Sequence, residues 1–206
     1  MNTNNSETSP TVRSWRFWLP LAFQTALIVA IPAQAIFVYL TGKTAILQTV
    51  PVDPYDLLRG YSQTLDYNIS RKGTLEKLPG WNELEKQKRS SLNLYVILEA
   101  PAQQASSGRP QPWKPVAVSA SGPVNLPKNR VALKGRLRYD TITYGLETYY
   151  FPEDQREQFN KDISQAQTGV ARSQGKPLPF VVEVKVDAQG NSVPVSLWVR
   201  DRNYRF

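Results

Sequence analysis

The sequence of 206 residues contains no cysteine and no histidine. Without cysteine, the chain can form no disulfide framework, no zinc–thiolate site and no thiol nucleophile. Without histidine, it lacks the commonest acid–base group near neutral pH and the commonest side-chain ligand of metals. We therefore expect no metal, no cofactor and no enzymatic activity, and we assign no catalytic residue.

The chain is basic, with a net charge of +8 and a pI near 9.7. Its cations are dispersed, apart from two short clusters at residues 86–89 and 200–205. A nucleic-acid-binding protein usually has a basic face with interleaved aromatic residues or a recognisable motif, and neither is visible in this sequence. We expect no nucleic-acid partner, and a domain held near an anionic lipid surface explains the charge equally well.

A long uncharged segment lies near the N-terminus. Phe17 to Leu40 is a run of 24 residues without a formal charge. As a helix it would extend about 36 Å, enough to cross a hydrocarbon core of about 30 Å. Arg13 and Arg16 precede the run and Lys43 follows it, which favours a cytoplasmic N-terminus. We predict a polar cytoplasmic tail over residues 1–16 and a transmembrane helix over residues 17–40.

A cleaved signal peptide is the alternative interpretation of this segment. Ala33, Gln34 and Ala35 fit the small-residue rule for a cleavage site. The apolar run continues from Ile36 to Leu40, however, where polar chain would be expected after cleavage. We favour an uncleaved single-pass anchor. Either interpretation places the rest of the chain outside the cytoplasm of a bacterium, in the periplasm or, for a cyanobacterial thylakoid, in the lumen.

The remaining chain is predicted to be a linker over residues 41–56 and a β-rich domain over residues 57–206. Alternating or β-branched stretches predict the strands, and a stretch rich in Pro, Gln, Ser and Gly from Pro101 to Pro115 predicts a long loop. The strands are expected at residues 60–69, 92–100, 114–120, 130–140 and 144–151, with a closing hairpin at 179–201. Successive strands with few helices indicate an α+β fold, with an antiparallel sheet or a small barrel.

One main helix is expected after the predicted strand at residues 144–151. Pro152, Glu153 and Asp154 are typical of a helix start, since proline suits the first turn and acidic residues favour the N-terminal dipole. An apolar stripe follows at helical spacing, and Gly169 or Gly175 would end the helix. The stripe consists of Phe159, Ile163 and Ala166.

Two stretches carry a family resemblance. "GYSQTLDY", residues 60–67, resembles the signature of the GDYXXLXY proteins, with Gly60, Leu65 and Tyr67 at the matching positions. Tyr61 and Ser62 stand where that signature has aspartate and tyrosine. "YGLETYYFPEDQ", residues 144–155, resembles the second recurrent segment of the family. Its matching residues are Tyr144, Gly145, Glu147, Pro152 and Glu153.

The resemblance implies a single-span anchor with a small β-rich domain outside the cytoplasm and no established biochemical activity. Some members of the family are associated with multi-pass membrane proteins. Any role that rested on the family's aspartate cannot be carried over to Tyr61. The resemblance and the composition together predict a binding or assembly module for an integral membrane protein complex. A histidine-free extracytoplasmic hydrolase and a lipid- or pigment-binding β-domain remain the alternatives.

The two family-like stretches are expected to meet at one site. We expect Tyr67 to be a core residue rather than a partner contact. Glu147 is expected in the middle of a strand, facing outward and hydrogen-bonded to a tyrosine, and an acid or partner role is the alternative for it. Gly60 and Gly145 are expected at backbone positions where a side chain would clash.

Overall fold

The computed structural model describes residues 15–50, 62–87, 91–103, 108–122, 125–150, 155–171 and 180–205. The chain divides into two compact units, residues 1–36 and residues 37–206. The predicted cytoplasmic tail, Gly60, and the predicted helix start at Pro152, Glu153 and Asp154 lie outside the described residues.

Helix α1, Trp15–Thr41, contains 27 residues and corresponds to about 40 Å of helix. Its large apolar side chains are exposed on every side, for example Phe23 at 66% and Ile31 at 80%. The helix also contains Pro20 and Pro32, which membrane-spanning helices tolerate better than soluble ones do. The predicted helix is confirmed as one that is long and apolar enough to span a membrane.

Strand β1, Lys43–Val50, corrects the predicted linker over residues 41–56. Gly42 alone separates it from α1, and β1 pairs with two other strands. Ala45, Leu47 and Thr49 are buried at alternating positions, as expected of a strand with one face on a core. The prediction failed because the strand follows the apolar helix directly, so no polar segment marks its beginning. Residues 51–56 lie outside the described residues.

Within the described residues, the domain is built from antiparallel strands and three further α-helices. The described strands form a five-stranded sheet in the order β11-β10-β9-β1-β3, a four-stranded sheet in the order β5-β4-β6-β7, and the pair β2-β8. These described strands form no closed barrel, so the α+β prediction is confirmed in its open-sheet form. The strands are β2 Ser62–Thr64, β3 Asp66–Tyr67, β4 Ser91–Glu99, β5 Lys114–Ser119, β6 Arg130–Arg138, β7 Thr141–Thr143, β8 Thr148–Tyr150, β9 Phe180–Val186, β10 Ser192–Val199 and β11 Arg202–Arg205; the helices are α2 Lys72–Leu75, α3 Trp81–Glu85 and α4 Arg156–Ala171.

One apolar core lies beneath these elements. Strand β9 contributes Val182, Val184 and Val186, the alternating positions of the predicted hairpin. Helix α4 contributes Phe159 and Ile163, and the Phe159 ring meets the Tyr204 ring edge-on with centroids 5.0 Å apart. The predicted stripe of α4 is therefore confirmed at these two positions. Gly169 lies within α4 rather than at its end.

Three of the predicted elements differ from the structure. The strand expected at residues 60–69 is divided into β2 and β3, and a 3₁₀ turn follows at Asn68–Ser70. The strand expected at residues 144–151 is reduced to β8 and is preceded by a turn. Strand β11, which the hairpin prediction omitted, extends the five-stranded sheet by one strand beyond β10.

Candidate functional site

The two family-like stretches are neighbours in the fold, which confirms the prediction that they lie close together. Strand β2 pairs with β8, with Gln63 opposite Tyr149. Strand β3 pairs with β1 instead, with Tyr67 opposite Thr49. The chain changes partner at Leu65, where the backbone N–H donates to the Glu147 carbonyl at 2.8 Å. The motif leucine therefore marks the position at which one stretch connects two sheets.

Tyr67, the last tyrosine of the motif, is completely buried. Its hydroxyl donates to the Leu146 carbonyl at 2.5 Å and also forms a short hydrogen bond with the Tyr149 hydroxyl. A hydroxyl carries only one proton, so while Tyr67 donates to Leu146 it accepts from Tyr149. The hydroxyl groups of Tyr67 and Tyr149 then both have hydrogen-bond partners inside the core.

Tyr144 makes a similar contact in the opposite direction. Its hydroxyl donates to the carbonyl of Ile69, two residues beyond the first stretch, at 2.7 Å. Tyr144 is buried, as is Tyr149. We call Tyr67, Tyr144 and Tyr149 the tyrosine cluster. Tyr149 was not among the predicted site residues, although its spacing of five from Tyr144 within an aromatic stretch could have indicated it.

Glu147 stabilises the turn before β8 rather than lying in the middle of a strand. Its Oε1 accepts the Tyr144 backbone N–H at 2.5 Å, and its carbonyl accepts the N–H of Leu65. The expected hydrogen bond to a tyrosine is therefore present, and its donor is the backbone N–H of Tyr144. Gly145 has a φ of 74°, and an added Cβ would meet nothing within 4 Å. Glycine is favoured at this position because of its left-handed backbone, and the predicted clash was wrong.

Burial keeps the tyrosine cluster neutral. It raises the pKa of Tyr67 and of Tyr144 well above their usual value, and it raises the pKa of Tyr149 as well. Neutral hydroxyls that are already bonded inside the core can hold two stretches together, but they supply no base or nucleophile near neutral pH. The cluster is therefore suited to stabilising the fold. Of the other predicted site residues, Gly60, Pro152 and Glu153 lie outside the described residues.

Other residues line the grooves described next. One of about 320 Å³ lies beside Trp113 and Trp198, and the buried indole N–H of Trp198 has no hydrogen-bond partner among the described residues. Another, of about 410 Å³, contains Asp162, whose carboxylate accepts from Tyr204 at 2.6 Å and pairs with Arg202 at 3.2 Å. Within the described ranges, no group of three or more acidic side chains could hold a metal ion.

A comparison with protein-family models gives a match over most of the chain. The family model described as "GDYXXLXY protein" matches residues 24–197, which is most of the chain and includes α1 from Gln24 and both family-like stretches. A search of curated proteins and a search of solved structures found no match. The chain belongs to the GDYXXLXY protein family.

Proposed function

We propose that the chain is a single-pass membrane anchor whose domain lies outside the cytoplasm and serves as a binding or assembly module for a membrane protein partner. The observation that carries this proposal is α1, an apolar helix of spanning length whose large side chains are exposed on every side. A soluble helix would bury an apolar stripe, whereas a helix that is apolar all round suits a lipid environment.

The junction between α1 and β1 supports a role close to the membrane. A Cβ added at Gly42 would lie 2.5 Å from the Val38 carbonyl oxygen and 3.0 Å from the Val186 nitrogen, so a larger residue would displace backbone. Val38, in the last turn of α1, is buried at 1% exposure. The last turn of α1 thus packs within the domain, and the connection through Gly42 alone would keep a binding domain near the bilayer surface.

The tyrosine cluster supports a binding role over an enzymatic one. The signature tyrosines Tyr67 and Tyr144 are buried and use their hydroxyls in internal hydrogen bonds. A hydrolase would need a pocket with convergent, available polar groups. The carboxylate of Asp162, in the groove beside α4, is already engaged by Tyr204 and Arg202.

The absence of cysteine allows a direct test of topology. Glu76 is exposed in the domain, so Glu76→Cys should react with a membrane-impermeant maleimide in intact cells. The matched variant Ser9→Cys should react only after permeabilisation. Both variants should stay in the membrane fraction through alkaline carbonate washing.

Crosslinking in the native membrane, followed by mass spectrometry, should capture an integral membrane protein. Release of the chain into the carbonate wash, with a mature N-terminus at Ile36, would contradict the anchor. Labelling of Ser9→Cys in intact cells would contradict the orientation. If the domain stays anchored but no protein neighbour is captured, the proposed binding or assembly role would be contradicted.

A further inference from the structure

Four exposed cations lie on one face of the four-stranded sheet and its edge. Residues directly opposite one another on adjacent strands project to the same face. Ser91 is opposite Arg138, Arg138 is opposite Thr141, and Thr141 forms a bridge with Arg71. In the next row, Arg136 lies between Asn93 and Thr143. In the row after that, Lys134 lies opposite Tyr95. We call Arg71, Lys134, Arg136 and Arg138 the cationic face.

The charge of the cationic face is not compensated within the described residues. None of its four members takes part in an ion pair with the acidic residues that the structure describes. The acidic residue on the same face of β4 is Glu99, and its carboxylate is held by Arg130 at 2.9 Å. The short neutral side chains of Ser91, Asn93, Thr141 and Thr143 lie between the cations and do not screen them.

Tyr139 lies at one end of this face, in the tight turn between β6 and β7. It is 84% exposed, and its φ of 55° is uncommon for a residue with a bulky side chain. A strained and exposed aromatic residue at a hairpin tip is an outlier that points to a function. Tyrosine is enriched where proteins meet the headgroup layer of a membrane, because its ring is apolar and its hydroxyl is polar.

We propose that the cationic face, together with Tyr139, binds the anionic headgroups of a lipid bilayer. The face has four charges without an ion-pair partner among the described residues, and short polar side chains lie beside them. Cores of protein interfaces are depleted of charged residues and centred on buried aromatic or aliphatic anchors, so this face does not resemble one. A flat anionic surface matches it better, since clustered Lys and Arg residues are attracted to such membranes. This inference rests on the proposed membrane anchoring of the chain.

The test uses the full chain in nanodiscs, with a Thr143→Cys variant that carries an environment-sensitive dye at the centre of the face. In nanodiscs that contain phosphatidylglycerol, the dye should report a less polar environment than in pure phosphatidylcholine if the face binds the bilayer that holds α1. If the face binds an opposing bilayer, protein in phosphatidylcholine nanodiscs should instead float with added phosphatidylglycerol vesicles. Raised salt should weaken either response.

Charge-removing variants make the test specific. Arg136→Gln with Arg138→Gln should weaken the response by roughly fivefold for each cation removed. The matched control is Lys77→Gln with Lys86→Gln, which removes the same charge from exposed positions outside the cationic face and should change the response little. Thermal unfolding of both variants should match that of the wild type, because all four side chains are exposed.

Three results would overturn the proposal. The first is an absence of any response to phosphatidylglycerol in both arrangements, and the second is an equal loss in the control variant. The third is binding of a poly-glutamate peptide without a response to phosphatidylglycerol, which would assign the face to an acidic protein segment. A failure of the anchoring itself would be distinguishable, because carbonate washing would then release the wild type and every variant alike.

Discussion

Tyr67 and Arg71 are four residues apart, yet they belong to regions of opposite character. Tyr67 is fully buried, and its hydroxyl is bonded to Leu146 and Tyr149. Arg71 is exposed, and it belongs to a face whose cations have no ion-pair partner among the described residues. The motif residues Leu65 and Tyr67 thus lie inside the domain, where they join two stretches of chain. The cationic face, in contrast, is formed by residues outside the motif.

The largest expected effect is on the free energy of unfolding, which substitutions of the buried Tyr67 should lower and substitutions on the exposed cationic face should leave unchanged. Tyr67→Ala removes a fully buried ring and should destabilise the domain by about 3–5 kcal/mol. Tyr67→Phe keeps the ring but removes the hydrogen bonds to the Leu146 carbonyl and the Tyr149 hydroxyl, and it should cost about 1–3 kcal/mol. Chemical denaturation of the full chain in detergent measures both values. A Tyr67→Ala domain with normal unfolding would show that the ring does not pack in the core.

Alkaline pH should affect the tyrosine cluster selectively. A tyrosine in the unfolded chain titrates near pH 10, whereas burial raises the pKa of Tyr67, Tyr144 and Tyr149 in the folded state. Above pH 10 the folded state therefore binds more protons, and its stability falls as the pH rises. The slope is about 1.4 kcal/mol per pH unit for each such tyrosine.

The matched variant for the pH measurement is Tyr67→Phe, which removes one titrating hydroxyl. Its stability, measured by denaturation between pH 9 and pH 11 in parallel with the wild type, should fall less steeply above about pH 10. Below that pH, the difference between the two proteins should be constant. Equal slopes for the two proteins would mean that the Tyr67 hydroxyl titrates normally in the folded state.

Two substitutions at left-handed positions should have small effects of opposite sign. Gly145→Ala introduces a side chain at a φ of 74° without a steric contact and should cost about 1–2 kcal/mol. Tyr139→Asn replaces an aromatic residue at a φ of 55° with a residue that tolerates this conformation, so it should stabilise the domain by up to about 1 kcal/mol. Thermal unfolding of each variant is the measurement. A stabilising Gly145→Ala would contradict the assignment of backbone strain at that position.

The sequence predicts the elements in which alternation is uninterrupted. Strand β9 and the apolar stripe of α4 were predicted from their periodicity, strands β4 and β6 from their apolar and β-branched content, and the closeness of the two family-like stretches was predicted as well. Strand β1 was missed because it joins an apolar helix without a polar boundary. The change of partner at Leu65 could not be predicted, because local alternation is the same whichever strand accepts the backbone hydrogen bonds.

The site was predicted less completely than the fold. Burial of Tyr67 followed from its position on the apolar side of an alternating stretch. The role of Glu147 depended on a turn that Gly145 permits, and no local pattern distinguishes this turn from a continuing strand. The cationic face could not be predicted, because it depends on the register of β4, β6 and β7 and on the bridge at Arg71. These pairings bring residues that are far apart in sequence into one row.

The most direct test of the account is native-membrane crosslinking of Tyr67→Phe beside the wild type, with the unfolding temperature of each protein measured in parallel. Because Tyr67 lies in the core, Tyr67→Phe should unfold at a lower temperature. The same neighbours should still be captured from its folded fraction. An unchanged unfolding temperature together with the loss of those neighbours would contradict the account, because the motif tyrosine would then be a partner contact.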